Sequence, residues 1–169
     1  MEAVKVAKAL ALDYYNNKGK PISPIKLQKI LYFLYAFYGS YVKDMQANDS
    51  DVEMDVGNLP RSLFIPNFEA WRYGPVDPNV YREYRQSATT NFLNDAQGFD
   101  DLYKDNIVAQ EVFKSITRQA YDLSDFSLVD ISHQDKTWID AFPNENQSMD
   151  SESIINEYAE RRAAKVAAI

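Results

Sequence analysis

The chain has no cysteine, one histidine, five glycines and no apolar run long enough to cross a bilayer. Each shortage excludes a class of function. Without cysteine there are no disulfides, no thiolate metal sites and no thiol nucleophile. A lone His133 excludes a zinc centre built on two or more imidazoles and excludes a Cys-His pair. A Ser-His-Asp triad would have to use that residue, and no Gly-x-Ser-x-Gly elbow accompanies it. The scattered glycines form neither a P-loop nor a Gly-x-Gly-x-x-Gly turn, so the usual phosphate cradles are missing as well. The longest unbroken apolar stretch, Ile30 to Tyr38, has nine residues, whereas a membrane span needs about 20. Its hydroxyls at Tyr32, Tyr35 and Tyr38 would also lack partners in hydrocarbon. No membrane partner and no cofactor is expected.

Positive charge is also scarce. Eighteen Lys and Arg face 25 Asp and Glu, for a net charge of −7. That balance disfavours nucleic-acid binding, which rests on neutralising phosphates with bases. It is compatible with a basic protein partner. Arg161, Arg162 and Lys165 gather near the C-terminus, where the plain expectation is a solvated helix face. The first residues form no uninterrupted signal-peptide core, since Lys5 and Lys8 break it; with the absence of cysteine, this points to the cytoplasm.

What is present is a folded composition, 46% apolar and 25% charged over 169 residues. It suits one domain, residues 1–169, mainly α-helical, with room for a short β-hairpin or extended segment in the middle. A helix over 2–17 carries Val4, Ala7, Ala11 and Tyr14 at helical spacing and stops at Gly19 and Pro21. Ser23 then Pro24 opens a second helix. Leu27, Ile30, Leu31, Leu34, Tyr38 and Tyr41 mark one face of it, and Phe33 and Phe37 cover much of the other. A helix apolar nearly all round belongs at the centre of a bundle or is partly covered by another chain. A homodimer fits that pattern too.

Residues 43–60 read as an acidic insertion, with five acids against Lys43 alone. Aligned as a calcium loop from Asp49, the segment has Met54 where glycine is needed and Pro60 where a bidentate glutamate is needed. The alternation of Val52, Met54 and Val56 with acids suggests a short half-exposed strand. Asp77-Pro78 opens a helix with Val80, Tyr81 and Tyr84. Residues 94–105 read as loop, 106–122 as helix, and Ser124 caps a short helix to Ile131. A short helical piece holds Trp138 and Phe142, and a last helix covers about 151–167.

For chemistry, Trp71, Tyr73 and Trp138 are candidates for an aromatic cage. Packing around the Gly74-Pro75 turn is the alternative. His133 with Asp135 or Asp130 is the candidate acid–base pair of a hydrolase-type enzyme. A helix-terminal imidazole bonded to a nearby carboxylate or carbonyl is the plainer reading.

Three strings then resemble one family. "ISPIKLQKILYF", "LFIPNFEAWRYGPVDPNVYREY" and "SHQDKTW" resemble the Panacea domain, the SocA-like and GepA-like phage-associated group. The motif positions are Lys26, Leu27, Gln28 and Lys29; then Phe68, Ala70, Trp71, Gly74, Pro75, Val76 and Tyr81; then His133, Asp135 and Trp138. Ser132 stands for the family's usual Thr and Asp135 for its usual Glu. The resemblance implies a cytoplasmic, mainly helical binding module without enzymatic activity. Such a module is often the antitoxin that binds a co-encoded protein toxin, and in the SocA-like branch an adaptor to a cellular protease. It assigns the motif residues to the scaffold or to the partner surface without deciding which. A repressor of its own operon is a further reading, against which the net charge argues.

Overall fold

The computed structural model describes residues 1–48 and 56–167. Helix α1 (Ala3–Lys18) turns Val6, Ala7, Leu10 and Tyr14 inward and ends at Gly19, whose φ of 68° is the left-handed position that glycine tolerates. Helix α2 (Pro24–Ala47) begins where Ser23 Oγ accepts the Lys26 N–H at 3.0 Å, with Pro24 at its first position. Residues Lys26 to Ala36 of α2 are all buried. Helix α1, four later helices (Pro78–Gln86, Ile107–Ala120, Asp125–Ser132 and Ser151–Ala167) and a short strand (Gly74–Val76) all pack on α2, so the apolar-all-round sequence is the central post of the fold.

After a 3-10 turn (Val56–Asn58) comes a small antiparallel sheet of order β2-β1-β3: β1 (Glu69–Trp71), β2 (Gly74–Val76) and β3 (Gln147–Ser148). Trp71 pairs with Gly74, so Arg72 and Tyr73 form the hairpin turn. Helices α3 (Pro78–Gln86), α4 (Thr89–Leu93), α5 (Phe99–Leu102), α6 (Ile107–Ala120), α7 (Asp125–Ser132), α8 (Lys136–Ala141) and α9 (Ser151–Ala167) complete the described chain. Side-chain caps start four of them: Asp77 on α3, Asn106 on α6, Ser124 on α7 and Asp150 on α9.

The mainly α fold and the mid-chain hairpin agree with the sequence. Two details differ. The segment read as loop over 94–105 contains α5, anchored because buried Phe99 stacks on Phe113 with centroids 4.0 Å apart. The acidic insertion expected over 43–60 is partly helix, since α2 continues to Ala47. Val56 lies in the 3-10 turn rather than in a strand, while the rest of the suggested strand, 52–55, falls outside the described residues.

Candidate functional site

One turn of α2 does unusual work with polar side chains. Lys26 Nζ donates to the Tyr121 carbonyl at 2.9 Å. The Gln28 amide clamps the Asp77 backbone, accepting its N–H at 2.9 Å and donating to its carbonyl at 3.2 Å. Lys29 Nζ donates to the Pro75 carbonyl at 2.6 Å. Leu27 fills the core between them. All four residues are buried, and the three polar ones satisfy backbone groups of the α6 end, of the α3 cap and of β2. Burial without solvation would otherwise leave those carbonyls unpaired.

Lys29 is only 1% exposed and has no carboxylate partner among the described residues. Desolvation lowers its pKa from 10.5 to about 7. Above it lies Gly74 with φ of 100°. A Cβ there would come within 2.8 Å of Lys29 Cε and press on Ser132 Oγ. Glycine is required twice at this point, for the backbone angle and for the close approach.

The hairpin turn is held from the other side by α7 and α8. Trp138 Nε1 donates to the Trp71 carbonyl at 3.0 Å, and His133 Nε2 lies 3.1 Å from the Arg72 carbonyl. As that neighbour is an acceptor, Nε2 carries the proton in this contact. His133 stacks on Trp138 at 4.1 Å and Trp138 on Phe142 at 4.6 Å. The three sequence motifs therefore meet at one place: the first and third both grip carbonyls of the second. Phe68 packs on Tyr32 and Tyr35, Ala70 and Val76 are buried, and Tyr81 meets the Trp71 ring at 5.0 Å. Trp71 itself is only half-buried, with its Nε1 on Glu69 Oε2 at 2.7 Å.

The aromatic-cage expectation is not met, because its rings find separate partners: Trp71 with Tyr81, Tyr73 with Phe126, and Trp138 with His133 and Phe142. Nor is His133 bonded to Asp135 or Asp130. Asp130 is exposed. Asp135 is fully buried and turns the opposite way, its Oδ2 accepting from Tyr32 at 2.6 Å and Tyr158 at 2.8 Å. Its Oδ1 faces Arg161 at 2.9 Å, an ion pair whose N–H is not aligned for a hydrogen bond. Burial pushes the Asp135 carboxyl above its usual range, against the pull of the two hydroxyls and Arg161. Among the described residues no cluster of three or more His, Asp or Glu could hold a metal ion.

Asp135 occupies the N-cap of α8 without capping it. Glu157 of α9 does so instead, accepting from Lys136 N at 2.7 Å and from Thr137 N at 2.9 Å. Arg161 ties Glu157 to Asp135, and Arg162 pairs with Asp44 at 2.8 Å. The expected solvated face of Arg161 and Arg162 is thus, in part, an anchoring face for α9. Sequence reasoning missed this network. The only local signal was the Glu157–Arg161 spacing of four residues, which is common on any helix.

The surface also carries an apolar trough along α2 and α6. One hollow of about 360 Å³ is lined by Phe33, Phe37, Tyr41, Ile116, Leu128 and Ile131 among others. A second, of about 400 Å³, shares Tyr41, Val112 and Ser115 with the first and continues to Met45 and Ile107.

The family model described as "Antitoxin SocA-like, Panacea domain" matches residues 52–139, just over half of the chain. The chain belongs to this SocA-like Panacea family. The match runs from shortly after α2 into α8, so it contains the hairpin and the motif around His133; Lys26 to Lys29 precede it. The curated protein Antitoxin SocA of Caulobacter vibrioides (strain NA1000 / CB15N) is 31% identical over 134 residues, which cover 75% of this chain. The chain spans 59% of the length of that relative. No solved structure matches. No helix among the described residues of this Panacea protein is long and apolar enough to cross a membrane.

Proposed function

We propose that this protein is an antitoxin that neutralises a co-encoded protein toxin by binding it directly, with residues 1–169 acting as one cytoplasmic unit. Membership of a family described as antitoxin-like supports the class. One structural observation supports a scaffold role for the motifs within that reading: the polar atoms of the motif side chains Lys26, Gln28, Lys29 and Trp138 are all spent on backbone groups of the chain itself. The motifs on this reading build the scaffold, and variable surface beside them meets the toxin. Delivery of the toxin to a cellular protease is a further step of the same proposal.

The experiment is co-expression with the adjacent reading frame. The neighbouring product alone is expected to stop growth, and this chain is expected to restore it and co-purify with it. A neighbour without toxicity, or growth arrest that this chain does not relieve, would refute the proposal.

A further inference from the structure

We infer that α9 is a releasable strap whose docking is relayed to the hairpin through the short segment from His133 to Trp138. The inference concerns a conformational device of the fold and stands whether or not the antitoxin reading does.

The segment faces two ways. Towards the hairpin, His133 and Trp138 hold the carbonyls of Arg72 and Trp71. Towards α9, Asp135 accepts from the Tyr158 hydroxyl at 2.8 Å and faces Arg161 at 2.9 Å. The N–H groups of Lys136 and Thr137 and the Thr137 hydroxyl all donate to the Glu157 carboxylate. One stretch of chain therefore grips both neighbours at once.

The relay works because the cap of α8 is not local. Helix α8 has only six residues, too few to hold its shape through its own hydrogen bonds. A side chain at the N-cap position would ordinarily fix the first turn. Asp135 occupies that position, but its carboxylate is turned away to Tyr32, Tyr158 and Arg161. The first two N–H groups of α8 are satisfied instead by Glu157, 21 and 20 positions further along the chain. Lifting α9 thus uncaps α8. Trp138, in the first turn of α8, then loses the support that keeps its indole on the Trp71 carbonyl.

The strap can peel from its far end. Its buried side chains Ile154, Ile155, Tyr158 and Ala159 lie in the first half of the helix, and Ala163 and Ala164 are exposed. The outermost tie among the described residues, Arg162 with Asp44 at 2.8 Å, joins two partly exposed side chains and contributes little. Opening that begins there runs inward to Arg161 and Glu157 without unfolding the core.

The test is hydrogen exchange of the full chain followed by NMR at the Trp138 indole. Glu157→Ala is expected to speed that exchange about fivefold to tenfold, and Arg162→Gln about twofold, with the amides of α6 unchanged. Coupling is reciprocal, so His133→Ala on the hairpin side should speed exchange of the α9 amides around Tyr158. An unmoved Trp138 indole in Glu157→Ala would overturn the relay. A rise shared equally with α6 would mean global unfolding and would overturn it too. So would a rise confined to the Met149 amide, which is bonded to the Phe68 carbonyl, because the signal would then pass through β3.

Discussion

The two sides of α2 bury charge in opposite ways. On the hairpin side, Lys29 goes into the core with one carbonyl acceptor and no counter-ion among the described residues. On the α9 side, Asp135 goes in with two tyrosine hydroxyls and a guanidinium around it. An isolated buried amine adapts by losing its proton, whereas a carboxylate with three partners becomes the hub of a network. The difference shows in what would be left behind. Deleting Lys29 orphans one carbonyl, whereas deleting Asp135 orphans the hydroxyls of Tyr32 on α2 and Tyr158 on α9 and leaves Arg161 with Glu157 alone.

The largest effect should therefore come from Asp135→Ala, which strands the Tyr32 and Tyr158 hydroxyls and leaves Arg161 facing an empty site. A loss of about 3–5 kcal/mol is expected in urea unfolding, with Asp135→Asn recovering part of it. Equal stability for Ala and wild type would erase the contrast.

Lys29 should reveal itself through pH instead. Its folded pKa, about 7, lies below the unfolded value of 10.5, so between those values the unfolded chain holds a proton that the folded chain lacks. Stability should accordingly rise with pH, by about 3 kcal/mol from pH 7 to 9.5, attributable to this group. Lys29→Met should flatten that part of the curve. An identical slope in both proteins would mean that the amine is not desolvated. Asp135 works the other way: with its folded pKa raised above 3.8, its contribution falls as pH climbs out of the acid range.

Gly74→Ala tests the joint between the two halves of the motif. The positive φ and the contacts with Lys29 and Ser132 should together cost about 2 kcal/mol. The smallest change expected is Trp71→Ala, about 1 kcal/mol, because the ring is half-buried and its main partner is Tyr81 on the surface of α3. A fall of several kcal/mol in a thermal melt would place Trp71 in the core.

These elements also divide by how legible they were. The starts of α2, α3 and α7 could be read from Ser23-Pro24, Asp77-Pro78 and Ser124, because a cap acts on residues two or three positions away. The roles of Lys26, Gln28 and Lys29 could not. On a helix their side chains resemble an ordinary polar stripe, and only the distant backbone at Asp77, Pro75 and Tyr121 draws them inward. Asp135 was legible as a motif position but not as a hub, since its partners Tyr32 and Arg161 are far away in sequence. The short helices α4 and α5 span little more than one turn each, too little for periodicity to register. Phe33 and Phe37 did signal a second apolar side of α2, although nothing local showed that Phe33 would be buried and Phe37 only partly covered.

The central claim is that the family motifs hold the scaffold and do not touch the partner. His133 decides it most directly, because it is the one motif side chain whose ring nitrogen could serve either purpose. The affinity of His133→Gln for the product of the adjacent reading frame, measured at a temperature where the variant is folded, should match wild type within about twofold. A loss of tenfold or more at an undiminished melting temperature would put His133 in the interface and contradict the account.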